Sequence, residues 1–209
     1  MDIERLKNAP EIKEVIPKRE IAFAFIKPDF LEDLPVIETI LLEHGLEVIY
    51  RDKVHLNEMA VDSIYKESKN EHFYDTMKKY LTTHEVIVLM VGGKGLEAQK
   101  VLLNLKKTGD KNGIIRERLQ KEPPVKQEDV ELWERKEHPN QDEVSILLTQ
   151  SNVIHTADST EEALASLKLI FGDKFEDMKK KGNLPAELWD IFEKDNTFAT
   201  PSYSSEINK

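Results

Sequence analysis

The chain of 209 residues contains no cysteine, and this absence removes several classes of site at once. Disulfide bonds, thiolate catalysis and Cys-ligated zinc or iron–sulfur sites are all excluded. Long apolar runs are also lacking, since no window approaches the roughly 18 consecutive apolar residues that indicate a membrane span. The first five residues, MDIER, are charged where a secretory signal is apolar. We therefore expect a soluble, cytoplasmic protein with no membrane partner.

Positive charge is in the minority, because 30 lysines and arginines face 40 acidic residues and leave a net charge of −10. Such a chain repels nucleic-acid backbones unless a local basic patch dominates. Its basic runs are short and lie at 78–79, 106–107 and 179–181. We expect no nucleic-acid partner, although a single positive pocket could still bind a small anion.

Apolar patterns divide the chain into alternating strands and helices. Predicted strands cover 21–26, 46–56, 86–91 and 144–149. One predicted helix begins near Val36 and ends at Gly45. Four others cover 58–67, 71–81, 95–106 and 159–171. The last of these begins with Ser159 and Glu162 as a capping box. This order predicts an α/β (α+β) fold, a ferredoxin-like βαββαβ sandwich whose four-stranded antiparallel sheet has helices packed on it.

Composition suggests three parts: an N-terminal arm at 1–19, one domain at 20–172 and a C-terminal extension at 173–209. Within the domain, residues 117–143 are acidic and proline-containing, which favours a loop-like insertion with a short helix around 130–133. In the extension, 184–192 predicts a helix with Pro185 in its first turn.

Without cysteine, a histidine is the best candidate nucleophile or base. None of the six histidines has the H-x-x-x-H or H-x-H spacing of a metal site, so no metal-ligating residues are predicted. His155 is distinguished by its place between a predicted strand and a capped helix. For any single histidine, however, a hydrogen-bonded loop position is the more common role.

Three motifs occur in order along the chain: IKPD at 26–29, IIR at 114–116 and NVIH at 152–155. Together they resemble the nucleoside diphosphate kinase family, whose patterns are K-P-D, G-T-I-R and N-x-x-H-G-S-D. The similarity covers about 20–172 apart from the insertion. It implies ping-pong transfer of the γ-phosphate of a nucleoside triphosphate to a nucleoside diphosphate through phosphorylated His155. It also implies Mg²⁺ bound through the nucleotide phosphates, and a homo-oligomer, either a hexamer or a tetramer.

The resemblance also assigns roles to individual residues. His155 takes the nucleophile position, Lys27 and Asn152 match residues that hold the ribose hydroxyls, and Arg116 matches an arginine that grips the phosphates. The remaining nucleotide-binding positions implied by the resemblance are Tyr65, near the histidine, Phe73, on which the base stacks, and Lys100, Thr108 and Thr149. Simpler interpretations exist for three of these residues: Phe73 as core, Tyr65 as helix surface and Lys27 as a solvated strand end.

Several positions depart from the family pattern. The hydroxyl that follows the histidine in H-G-S-D is missing at Ala157, and the glutamate that orients the other ring nitrogen is replaced by Ser166. Lys100 offers a point charge where the family has an arginine, and Thr108 lies out of register. Three hypotheses therefore stay open: a divergent working kinase, a weak or inactive member that binds nucleotide or acts as a structural protein, and an unrelated function on the same fold.

Overall fold

The computed structural model describes residues 19–94, 97–108, 111–120, 125–150 and 152–180. The predicted arm up to residue 18 and the predicted helix at 184–192 lie outside these residues. The proposed limits of the arm, the domain and the C-terminal extension stay predictions. One helix, described below, runs across the predicted boundary at 172 without a break.

The described strands are β1 (Arg19–Ile26), β2 (Glu47–His55), β3 (Glu85–Lys94), β4 (Lys107–Thr108), β5 (Lys111–Asn112) and β6 (Ile154–Thr156). The described helices are α1 (Leu34–Glu43), α2 (Glu58–Ile64), α3 (Tyr74–Thr83), α4 (Ala98–Lys106), α5 (Ile114–Leu119), α6 (Gln127–Glu134), α7 (Gln141–Gln150) and α8 (Thr160–Lys180). Two short 3-10 helices, Pro28–Asp33 and Lys66–Ser68, complete the set.

The main sheet has the strand order β2-β3-β1-β6, and every neighbouring pair is antiparallel. Strand β1 is central, and residues 21–26 are at most 2% exposed. This explains their continuous apolar run, because a strand covered on both faces has no polar side. The sheet and the order β1, α1, β2, β3, α4, β6 confirm the predicted fold class.

The side chains of β1 alternate between two hydrophobic clusters. Phe23 and Phe25 join the cluster under α2, α3 and α8. Ala22, Ala24 and Ile26 join the cluster under α1, α4 and α5. Helices therefore cover both faces of the sheet, and a side chain on β6 points into one of two packed layers.

Several helix ends follow the signals in the sequence. The Ser159 hydroxyl accepts the Glu162 backbone N–H at 3.2 Å, and the Glu162 carboxylate accepts the Asp158 N–H at 2.9 Å. The first bond is the one that the capping box predicts at the start of α8, whereas the second reaches Asp158, one residue before the N-cap. The end of α1 is followed by Gly45, whose φ of 76° is a left-handed conformation that glycine adopts at little cost.

The prediction of a strand at 144–149 is wrong, because these residues belong to helix α7. Val144 and Ser145 are buried, and the Thr76 hydroxyl donates a 2.8 Å bond to Asp142 that joins α3 to α7. A short apolar run fits a packed helix as well as a strand, so periodicity alone could not decide. The fourth strand is the three-residue β6, in which His155 lies.

The segment at 117–143 contains more regular structure than predicted. Helix α6 confirms the short helix expected around 130–133, while α5 ends within this segment and α7 begins in it. A second small sheet, β4–β5, was not predicted. Among the described residues, no helix is long and apolar enough to cross a membrane.

Candidate functional site

A cavity of about 300 Å³ lies beside β6, within the size range of small-molecule pockets. Its walls come from the end of β1, from the α2–α3 region, and from α5, α6, α7 and β6. The lining residues are Lys27, Tyr65, Ser68, Phe73, Met77, Arg116, Trp133, Ser145, Leu148, Asn152, Ile154 and His155. Six of the nine predicted site residues are thus brought together from four distant parts of the sequence.

The imidazole of His155 is held between aromatic rings. Residue 155 pairs with Phe25 across the β1–β6 ladder, and the two rings stack with centroids 5.0 Å apart. The Tyr65 ring lies 4.9 Å away. Among the described residues, Nε2 of His155 is buried without a hydrogen-bond partner. The ring is therefore positioned by packing, since no carboxylate in the part of the chain that the structure describes bonds to this nitrogen.

Two cations line the cavity with this histidine. Lys27 follows β1 directly, and its backbone N–H donates to the Val153 carbonyl at 3.0 Å, which extends the β1–β6 ladder by one bond. Its side chain is 4% exposed, so its interpretation as a solvated strand end is wrong. Arg116 reaches the cavity from α5, and among the described residues its Nε has no hydrogen-bond partner.

Close backbone packing places Arg116. The Gly113 N–H donates to the Lys106 carbonyl at 2.8 Å, which seats the start of α5 against the end of α4. A Cβ at position 113 would lie 2.4 Å from the Asn104 carbonyl oxygen. Glycine is therefore required by space at this position, and it lets α5 carry Arg116 to the wall of the cavity.

Burial and neighbouring positive charges lower the pKa values of two bases in the site. Burial, together with the positive charges of Lys106, Lys27 and Arg116, lowers the pKa of His155 well below 6.5. Burial and the charges of Arg116 and Lys106 lower the pKa of Lys27 to about 7. His155 therefore presents a neutral imidazole at pH 7, and an anion in the cavity would lie beside the cationic side chains of Lys27 and Arg116.

Lys106 belongs to the basic run at 106–107 and was not predicted as a site residue. It lies at the end of α4, is 7% exposed, and donates to the Thr156 carbonyl at 3.3 Å. Burial lowers its pKa to about 8, while the charge of Asp158 opposes that shift. Lys106 thus approaches β6 from the side of the sheet opposite His155.

Another part of the lining is aromatic and apolar. Phe73, just before α3, lies beside Trp133 of α6, with ring centroids 5.9 Å apart. Met77 and Leu148 continue this wall. Sequence reasoning missed Trp133, Ser145 and Leu148 as lining residues, although a tryptophan in an otherwise acidic insertion was a visible signal.

Of the other three predicted site residues, only Lys100 has a described side chain, and it does not line the cavity. Lys100 is exposed on α4, where its amino group pairs with Glu97 at 2.8 Å. Thr108 lies in β4 and Thr149 in α7, and their side chains fall outside the described residues. Ser166 stands where the family pattern has a glutamate. It is buried on α8, the helix that packs on the His155 face of the sheet.

The described lining of the cavity offers no cage for a metal ion. Its lining contains no carboxylate, and no group of three or more His, Asp or Glu among the described residues could hold a metal. A divalent cation in this cavity would therefore have to bring its own oxygen ligands, as an ion bound to phosphates does.

Comparisons with known proteins find similarity to one family. The family model for nucleoside diphosphate kinase matches residues 20–121, from β1 to the end of α5. A nucleoside diphosphate kinase of Histophilus somni is 31% identical over 74 residues, which are 34% of this chain and 52% of that protein. One of Methanocaldococcus jannaschii is 23% identical over 155 residues, covering 73% of this chain and 94% of that protein.

Among solved structures, a halophilic nucleoside diphosphate kinase from Halobacterium salinarum in complex with CDP is 22% identical, with a TM-score of 0.48. The match covers 74% of this chain and 89% of that one. Identity to these relatives is low, and the first of them is matched over about half of its length. The family match over residues 20–121, from β1 to α5, together with these relatives supports a divergent member of the nucleoside diphosphate kinase family.

Proposed function

We propose that this protein is a nucleoside diphosphate kinase that transfers the γ-phosphate of a nucleoside triphosphate to a nucleoside diphosphate through phospho-His155. The observation that carries this proposal is a neutral histidine in the wall of a cavity that also holds Lys27 and Arg116. A neutral imidazole is nucleophilic, and phosphoryl transfer needs positioning together with positive charge.

The first half-reaction forms a bond between an imidazole nitrogen and the γ-phosphorus and breaks the bond from that phosphorus to the β–γ bridging oxygen. The nucleoside diphosphate leaves with the electron pair. In the second half, a terminal oxygen of another nucleoside diphosphate attacks the phosphorus, and the nitrogen recovers its lone pair. Because Nε2 is buried, we assign the attack to Nδ1, with the proton on Nε2.

The neighbouring side chains supply the binding groups. Arg116 can grip two phosphate oxygens with its guanidinium fork. Among the described residues, Oδ1 of Asn152 is buried without a hydrogen-bond partner, so it can accept a ribose hydroxyl donor. Burial raises the pKa of Tyr65, which therefore stays protonated and can donate to an anion.

Three further properties belong to the same proposal. Mg²⁺ would enter with the nucleotide, held by the phosphate oxygens, and would neutralise part of their charge. The protein would act in the cytoplasm and as a homo-oligomer, a hexamer or tetramer. Light scattering on the full chain after size-exclusion chromatography measures the oligomer directly.

Intact mass after brief incubation with ATP and Mg²⁺ tests the mechanism. We expect one added phosphoryl group that is acid-labile, discharged by GDP and absent from His155→Ala. The matched control is His55→Ala, which removes an exposed histidine of β2 outside the cavity and should phosphorylate normally. An adduct that persists in His155→Ala would contradict the proposed nucleophile.

A second candidate function is a nucleotide-binding member with little or no turnover. Two observations favour it: Lys100 is exposed away from the cavity, and Nε2 of His155 has no partner among the described residues. Nucleotide binding without a phosphoryl adduct in the same assay would select this candidate over the kinase.

A further inference from the structure

We propose that helix α6 of the insertion and the adjoining helix α7 supply part of the base-binding region of the nucleotide pocket, and that Trp133 is a stacking residue that sets affinity for the nucleoside. This inference rests on the proposed function. It extends that function to a segment that the family match, which ends at residue 121, does not include.

The cavity is lined by charged side chains and by aromatic side chains. Lys27, Arg116 and His155 carry nitrogen donors or positive charge, which suits phosphates. The flat apolar rings of Phe73 and Trp133 suit a nucleobase. A nucleoside diphosphate has this same division between a charged tail and a flat base.

The Trp133 side chain is held in place. Its indole Nε1 donates to the Ser145 hydroxyl at 2.8 Å, and that hydroxyl donates in turn to the Gln141 carbonyl at 2.8 Å. The His72 ring contacts the indole with centroids 4.7 Å apart. With its polar atom bonded and its ring packed, Trp133 forms a fixed wall.

The rings of Phe73 and Trp133 lie close to each other. The Phe73 and Trp133 ring centroids are 5.9 Å apart and the ring planes are inclined by 34°, which leaves too little room for a base between them. A base would therefore stack against this joint surface. The hydrogen bond between Thr76 and Asp142 docks the insertion onto α3, close to where Phe73 lies, and keeps the two rings together.

Equilibrium binding to the full chain tests the inference with two probes, ADP and inorganic pyrophosphate, each with Mg²⁺. Trp133→Ala should weaken ADP binding about tenfold, because stacking on one aromatic ring contributes roughly that much per base. Pyrophosphate has no base, so its affinity should not change, which also shows that the variant is folded. Trp133→Phe should restore most of the ADP affinity.

Other results would overturn the inference. Unchanged ADP affinity in Trp133→Ala would show that the indole does not contact the base, and tighter binding would show that it blocks the pocket. An equal loss for ADP and pyrophosphate would indicate a purely structural role. A wild-type chain that binds neither probe would refute the proposed function itself, whereas wild-type binding with any of the preceding results refutes only the role of Trp133.

Discussion

The two ends of the short strand β6 differ in how their buried polar groups are satisfied. Beyond its last residue, the Gln99 side chain accepts the Phe23 N–H at 2.9 Å and donates to the Ala157 carbonyl at 2.6 Å. It thereby continues the β1–β6 ladder where β6 itself has ended. At the cavity, Asn152 Oδ1, His155 Nε2 and Arg116 Nε have no partners among the described residues.

This difference separates a structural end of the strand from a binding end. Each unpaired buried polar atom costs about 1–3 kcal/mol, so a set of them in one cavity marks a place where a ligand or bound water can satisfy them. Of the five such side-chain atoms among the described residues, three belong to residues that line the cavity. At one end of β6 the Gln99 side chain completes the backbone pairing, although the Thr156 hydroxyl there also has no partner among the described residues. The unpaired side-chain atoms at the cavity are instead placed where a ligand can reach their residues.

The largest expected effect comes from breaking the paired end. Gln99→Met keeps the approximate volume but leaves the Phe23 N–H and the Ala157 carbonyl buried without partners. We expect the free energy of unfolding to fall by about 3 kcal/mol, measured by urea denaturation. The matched control Gln127→Met, exposed on α6, should change it by less than about 0.5 kcal/mol. Equal stabilities of the two variants would show that Gln99 has no special role.

A smaller effect of opposite sign is expected from removing charge at the binding end. Lys27→Met should raise the free energy of unfolding at pH 7 by about 1–3 kcal/mol and weaken ADP binding, because a buried ammonium is replaced by an apolar chain. The control Lys100→Met removes an exposed lysine and should leave stability unchanged. A less stable Lys27→Met would show that this cation stabilises the fold even without ligand.

The pH dependence of the same pair of proteins sharpens the test. The pKa of Lys27 is about 7 in the folded chain against 10.5 when unfolded, so the unfolded chain binds more protons between these values. Stability of the wild type should therefore rise with pH from about 7 to about 10.5 relative to Lys27→Met. Parallel pH profiles for the two proteins would contradict the lowered pKa.

The smallest effect is expected from adding a carboxylate near Nε2 of His155, which has no hydrogen-bond partner among the described residues. Ser166→Glu brings a carboxylate toward the unpaired Nε2 of His155, raises the pKa of the imidazole and should speed phosphorylation by ATP about tenfold. Ser166→Gln is the uncharged control of equal size. If neither the pKa, followed by NMR, nor the rate changes in the glutamate variant, then position 166 does not face the ring.

Much of this arrangement could be predicted from local sequence. The apolar run at 21–26 indicated a buried strand, and Gly45 and Ser159 marked helix ends, because these signals depend on neighbouring residues only. Lys27, Arg116 and His155 were found through their motifs. The strand proposed at 144–149 was wrong, since an apolar run of six residues has no period long enough to separate a strand from a packed helix.

Other features could not be found in this way because they depend on residues distant in the sequence. Trp133 enters the cavity only because α7 docks on α3, and Lys106 approaches β6 only because α4 packs on the opposite face of the sheet. A three-residue strand such as β6 carries almost no pattern of its own, and Gln99 supplies the hydrogen bonds that a longer strand would have made.

The sequence by itself determined the alternation of strands and helices, the absence of thiol chemistry and the order of the three motifs, because composition and short-range periodicity carry that information. Only the tertiary structure decided which cations surround His155, which polar atoms are left unpaired and how the insertion meets the cavity. Burial and hydrogen-bond pairing are properties of assembled layers, and no local stretch of the chain contains them.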